Sequence, residues 1–254
     1  MDTIGNTLFI GKVLSHHLQL ESTNQYALGL VSKSNPSEGT VISASEQTLG
    51  RGQIGRHWES EAHKNLTVSI ILYPRFIAPQ QQFTLNQAIA LGVFDGIAKY
   101  MANGLKVKWS NDIYVRDRKI GGILVQNTLT SRHLNTSVVG IGLNVNQIQF
   151  SKRLPNPTSL ALETGREWDL HEVLSQLCHS VEKRYLQLKS GDLASLHRDY
   201  LSTLYRYRQN APYRRPDGTT FWGQIVGLGP TGKLRIEHNG GEELFAMREI
   251  AFVH

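Results

Sequence analysis

Six short runs of this chain are dense in Val, Ile and Leu and bounded by Gly, Asn or Asp: residues 39–46, 65–73, 105–109, 112–116, 119–127 and 137–146. Short β-branched runs between turn residues read as strands, and the segment just before Glu21 reads as another. Runs 112–116 and 119–127 are separated by Asp117 and Arg118, which predicts a hairpin through those two residues. Elsewhere the apolar positions take helical spacing. Over residues 83–103, Leu85, Ile89, Val93, Ile97 and Met101 share one face; over 169–188 the same holds for Leu170, Val173, Leu174, Leu177, Val181, Tyr185 and Leu188. A third helical segment follows near 193–207. Beyond it the pattern shortens to strands separated by Pro216-Asp217-Gly218, Gly229-Pro230-Thr231-Gly232 and Asn239-Gly240-Gly241. The expectation is an α+β protein. A mixed sheet packed with helices fills residues 1–208, and a small all-β domain, a barrel, fills 209–254.

Composition narrows what such a fold serves. With 254 residues, 40% hydrophobic and 19% charged, the chain can bury one large core and a small second one. Its start lacks a basic stretch followed by an apolar one, and no segment approaches the roughly 20 apolar residues of a membrane span. A cytoplasmic location with no membrane partner is expected. The single cysteine, Cys178, excludes an intramolecular disulfide and falls on an apolar helix face as a small hydrophobe. His16, His17, His57 and His63 show no metal-site spacing. A formal charge of +6 favours anionic partners without choosing among nucleotide, nucleic acid and acidic protein. Arg206, Arg208, Arg214 and Arg215 read as a solvated basic linker.

Candidate chemistry gathers in five places. GRGQIGRHW, residues 50–58, interleaves three glycines with Arg51 and Arg56, so backbone N–H groups and guanidinium forks can close around an anion. Gly121 and Gly122 lie inside one strand, after Lys119, and Gly140 and Gly142 inside another that ends in Asn144 and Asn146. Glycines there fit either a bulged sheet or close approach of a ligand. KWSND, residues 108–112, fits a turn cap as well as a site. Ser22, Thr23 and Asn24 suit a helix N-cap, which is compatible with ligand contact.

Taken together, the segments STNQ, GRGQIGRHW, KWSNDIYVRDRKIGGILV and GIGLNVN, in this order and followed by a small β domain, resemble biotin protein ligase from about Phe9 to Val253. The resemblance implies a class II synthetase-like catalytic domain of the biotin/lipoate ligase type with an SH3-like C-terminal barrel. It implies an enzyme that activates biotin with ATP to biotinyl-5′-AMP, with Mg2+ brought by the ATP. Biotin is then passed to a lysine of a biotin carboxyl carrier domain. The form without an N-terminal DNA-binding domain is expected, with no specific nucleic acid partner; a homodimer is compatible with it. Carried over residue by residue, Lys119, Asp112 and Arg51 are the catalytic candidates. Ser22, Thr23, Asn24, Gln47, Gly50, Arg51, Lys119, Gly121 and Gly122 match the biotin side. Arg51, Gln53, Arg56, Trp58, Lys108, Asn111 and Asn144 match the nucleotide side, with Trp58 over the adenine. Two positions depart from the family pattern: Gln53 stands where a third arginine is common, and Ser110 where proline is usual.

Rival readings come from other classes. A lipoate- or octanoate-attaching relative shares the sheet, and one branch of it needs a cysteine nucleophile for which Cys178 is badly placed. A nucleic-acid-binding regulator would exploit the positive charge, yet some twenty residues before STNQ leave no room for a helix-turn-helix. A peptide-binding C-terminal barrel is the third.

Overall fold

The computed structural model describes residues 4–53, 55, 57–101 and 103–253. Its larger sheet contains β1 (Leu14–Leu20), β2 (Val41–Gln47), β3 (Leu66–Leu72), β4 (Leu105–Lys108), β5 (Asp112–Val115), β6 (Arg118–Leu129) and β7 (Leu134–Leu143). Their spatial order is β1-β2-β3-β7-β6-β5-β4. Only β1 and β2 are parallel. A parallel pair needs a crossover, and the helix α1 (Thr23–Lys33) supplies it.

Strand alternation divides the apolar residues between the two faces of the sheet. Val41, Ile70 and Val139 join the main core beneath α2 (Gln82–Ala98) and α4 (Leu170–Lys189). Their neighbours Ile42, Ile71 and Val138 form a smaller core with Ala27 of α1 on the opposite face. Between β7 and α4 runs a short α3 (Leu160–Thr164), and α5 (Leu193–Thr203) follows α4. α1 covers only part of its face. The remainder, where β6 and β7 carry Gly122, Gly140 and Gly142, borders the cleft described below.

Several boundaries differ from the sequence expectation. The hairpin turns on Arg116 and Asp117, because Val115 pairs with Arg118 and Arg116 takes a φ of 53°. α2 ends at Ala98, although Met101 beyond it still packs against the core. Ser22 is the N-cap of α1, but its side chain accepts no capping bond; instead Gln47 Oε1, from the end of β2, accepts from Thr23 N at 2.7 Å. The N-terminal segment is pinned by the buried Glu182 carboxylate, which accepts from the backbone N–H groups of Leu8, Phe9 and Ile10.

The C-terminal strands β8 (Asn210–Arg214), β9 (Thr220–Leu228), β10 (Leu234–His238), β11 (Gly241–Phe245) and β12 (Ala251–Phe252) form an antiparallel sheet in the order β11-β10-β9-β8-β12. It is tied to the larger sheet. Trp109 Nε1 donates to Gly232 O at 2.9 Å, and in the segment leading into β8 Tyr205 N donates to Val107 O at 2.8 Å. Two of the arginines around this junction are engaged rather than merely solvated: Arg206 donates to Val253 O, and Arg215 binds the Glu243 carboxylate through two nitrogens. No helix among the described residues is long and apolar enough to cross a membrane.

Candidate active site

The cleft begins with a backbone pairing at the base of the glycine- and arginine-rich segment. Trp58 N donates to Gly50 O at 3.0 Å, and Arg51 bridges His57. Position 50 must be glycine for this closure, since a β-carbon there would lie 2.3 Å from Trp58 O. Gly50 therefore shapes the stem and is not among the cleft-lining residues. The stem carries the Trp58 indole onto β7, where a β-carbon at Gly142 would fall 2.3 Å from the ring. Gly142 is the seat of the indole. Trp58 Nε1 is buried there with no hydrogen-bond partner among the described residues.

Around this floor lies a cleft of about 660 Å3. Lys119, at the start of β6, extends over Gly122 and places Nζ 2.7 Å from Asp112 Oδ1 and 5.8 Å from the Trp58 ring centroid. Its backbone is held on both sides, by Asn156 O accepting from Lys119 N at 2.7 Å and by Thr158 N donating to Lys119 O at 2.9 Å. The loop around Asn156 and Pro157 is thus the wall that fixes the lysine. Gly121 points the other way, toward Leu143 and Ile113, because adjacent strand residues face opposite sides. It is not among the residues lining the cleft and packs against the neighbouring strands.

One end of the cleft is a polar cluster. Ser69 Oγ lies 2.8 Å from Thr23 Oγ1 and 2.6 Å from Asn24 Oδ1, Thr23 Oγ1 donates to Gln47 Oε1 at 3.1 Å, and Asn24 Nδ2 donates to Gln126 Oε1 at 2.9 Å. A β-carbon at Gly140 would lie 2.4 Å from Asn24 Oδ1, so that glycine admits the amide rather than a ligand. Ser69 and Gln126 were missed in the sequence; the visible signal was a polar residue at position 69 inside an apolar, fully buried strand.

At the other end, Asn144 donates through Nδ2 to Thr158 O at 2.9 Å while its buried Oδ1 has no partner among the described residues. An orphan donor on Trp58 and an orphan acceptor on Asn144 in one cleft ask for a ligand with hydrogen-bonding groups of both kinds. Lys108 Nζ contacts Tyr114 Oη at 3.0 Å and lies 5.0 Å from the Phe252 ring centroid. Asn111 is buried outside the lining residues, with its carbonyl accepting from Ile123 N, so it supports the strands instead of facing the cleft. Arg51 lies at the rim, its Nη2 3.0 Å from the Gln25 amide oxygen once that amide is turned to face it. Gln53 also lines the cleft, whereas Arg56 lies outside the described residues. From the C-terminal sheet come Met247, Arg248, Ile250, Ala251 and Phe252, none of which the sequence had suggested. Cys178 takes no part: burial, then the Glu182 charge, pushes its thiol up to about 12.

Comparison with known proteins bears on this arrangement. The model of the biotin/lipoate A/B protein ligase family matches residues 17–144. The bifunctional ligase/repressor BirA of Bacillus subtilis is 31% identical over 239 residues, covering 92% of this chain and 72% of its own length. The biotin–[acetyl-CoA-carboxylase] ligase of Paracoccus denitrificans is 28% identical over 241 residues, covering 91% of this chain and 97% of its own. Among solved structures, the biotin protein ligase from Aquifex aeolicus in complex with biotin and ATP has a TM-score of 0.79 at 25% identity, covering 96% of this chain and 99% of that one.

Proposed function

This chain belongs to the biotin/lipoate A/B protein ligase family, and on that footing we propose that it activates biotin with ATP and passes the biotinyl group to a lysine of a biotin carboxyl carrier domain. In the first half-reaction a biotin carboxylate oxygen bonds to the α-phosphorus, the bond to the bridging oxygen breaks, and pyrophosphate leaves. Mg2+ arrives with the ATP phosphates. In the second, the carrier amine attacks the acyl carbon of biotinyl-5′-AMP, AMP leaves, and the amine loses a proton.

The observation that carries this reading is the convergence of four separate sequence segments on one glycine-floored cleft with Lys119 extended across it. Lys119 brings two mutually repelling anions together and stabilises the charge that builds up during attack. Asp112, 2.7 Å from that ammonium, is placed to orient the incoming amine and take its proton. Arg51 supplies a second cation at the rim, and Trp58 and Asn144 serve the nucleotide. The cluster of Ser22, Thr23, Asn24 and Gln47 favours biotin over lipoate, because a ureido head offers donors and acceptors to match it and a dithiolane ring offers neither.

The reading is tested by ATP-dependent label transfer to a carrier domain, with biotin and lipoate in parallel. Biotin transfer well above lipoate is expected. Lipoate transfer equal to or above that of biotin would assign the chain to the other branch of its family.

A further inference from the structure

Gln53 and Ser110 are the two positions at which this chain departs from the pattern it otherwise resembles, and they touch each other. Gln53 Nε2 donates to Ser110 Oγ at 3.3 Å, and both reach the same third atom: Ser110 Oγ lies 3.0 Å and Gln53 Nε2 3.7 Å from Met247 Sδ. The valences close. An amide nitrogen has two hydrogens to give, and a serine hydroxyl has one hydrogen and free lone pairs. Here the amide serves the hydroxyl and the sulfur, and the hydroxyl serves the sulfur. An arginine at 53 would bring a charge to this neutral triangle, and a proline at 110 would bring no hydroxyl.

Each member comes from a different part of the molecule. Gln53 belongs to the segment that carries Arg51 and Trp58; Ser110 lies in the buried turn between β4 and β5, two residues from Asp112; Met247 follows β11 in the C-terminal sheet. All three line the cleft. Met247 is 52% exposed, so its side chain can be substituted without disturbing the core.

We propose that Met247 is a positioning residue, a neutral hydrogen-bond acceptor through which the C-terminal sheet holds the Gly50–Gln53 arm and the Ser110 turn in register across the cleft. In this chain the arm is held by the protein itself, before any nucleotide arrives. Its consequence for the reaction, retention of the acyl-adenylate, rests on the function proposed above; the contact itself does not.

The test uses the full chain and two variants of an exposed side chain. Met247→Leu keeps the volume and removes the acceptor, whereas Met247→Gln restores an acceptor of similar reach. In ligand-free protein, backbone amides around residues 51–53 and 110 should exchange hydrogen about two- to tenfold faster in Met247→Leu than in wild type, with Met247→Gln returned toward wild type. Equal exchange in wild type and Met247→Leu overturns the proposal whatever the enzyme's substrate. On protein preloaded by incubation with ATP, Mg2+ and biotin, Met247→Leu should release biotinyl-5′-AMP faster by a similar factor, again with rescue by Gln. Unchanged release from a protein that does form the adenylate overturns the positioning role in catalysis. Wild type that forms no adenylate refutes the proposed function and leaves the exchange result to decide the contact.

Discussion

Lys119 and Asp112 form an ion pair in which both side chains are about one-third exposed, so the pair adds little to stability and its value lies in what the two groups do to substrates. Their proposed tasks fall in different half-reactions. Lys119→Ala is expected to slow pyrophosphate release by about 10²–10³, with a much smaller loss of ATP affinity. Asp112→Asn keeps the shape but cannot take a proton, so adenylate formation should persist while transfer to a carrier lysine falls by about 10²-fold or more. Pyrophosphate release and carrier labelling measured side by side check both, and equal losses in both steps for Asp112→Asn would contradict the assignment. These residues were legible in the sequence because they stand in ordered motifs at fixed spacings. Ser69, Gln126 and Asn156 were not, since each acts by supporting another residue from a distant strand or loop.

Strands β6 and β7 show what alternation does to a motif. The pair Gly121-Gly122 reads as one feature, yet the sheet sends the two positions to opposite faces, and only Gly122 borders the cleft. Gly142→Ala would place a β-carbon 2.3 Å from the Trp58 indole, so the ring must leave its seat. The expected result is a red-shifted Trp58 emission, isolated by subtraction of a Trp58→Phe control, with weakened ATP binding. Gly121→Ala meets Gly142 O at 3.1 Å on the helix side, so it should lower stability by about 1–3 kcal/mol and leave that emission unchanged. A Trp58 shift for Gly121→Ala and none for Gly142→Ala would contradict the assignment of faces. The strands, α2 and α4 followed from periodicity because burial enforces it. Less secure were the features set by tertiary contact: the register that moved the hairpin turn to Arg116 and Asp117, and the cap that α1 takes from Gln47.

Across the whole molecule, the C-terminal sheet is part of the cleft, and no local pattern in the sequence could announce that. Its contribution depends on contacts such as Trp109 to Gly232 and Met247 to Ser110, whose partners are more than a hundred residues apart. Integrity of this sheet therefore matters to the site. The Arg215 guanidinium, assisted by His238, holds the Glu243 carboxyl below its ordinary value of 4.5. A lowered carboxylate stabilises the fold above about pH 4.5, and that contribution is lost as the pH falls through the depressed value. Glu243→Gln should accordingly be less stable than wild type near neutrality, by a small amount given the exposure, and the difference should vanish on acidification below the depressed value. Thermal melting of both proteins from pH 7 to 3 reads it, and a gap that widens toward acid would contradict the sign.

The activity proposed for the cleft is the joining of biotin to the α-phosphate of ATP. It is tested most directly by native mass spectrometry of the protein incubated with ATP, Mg2+ and biotin, with lipoate in place of biotin as the comparison. The expected result is a complex heavier than the free chain by the mass of biotinyl-5′-AMP, appearing only when both substrates and Mg2+ are present and missing in Lys119→Ala. Wild-type protein that binds biotin and ATP separately yet never carries the adenylate would contradict it.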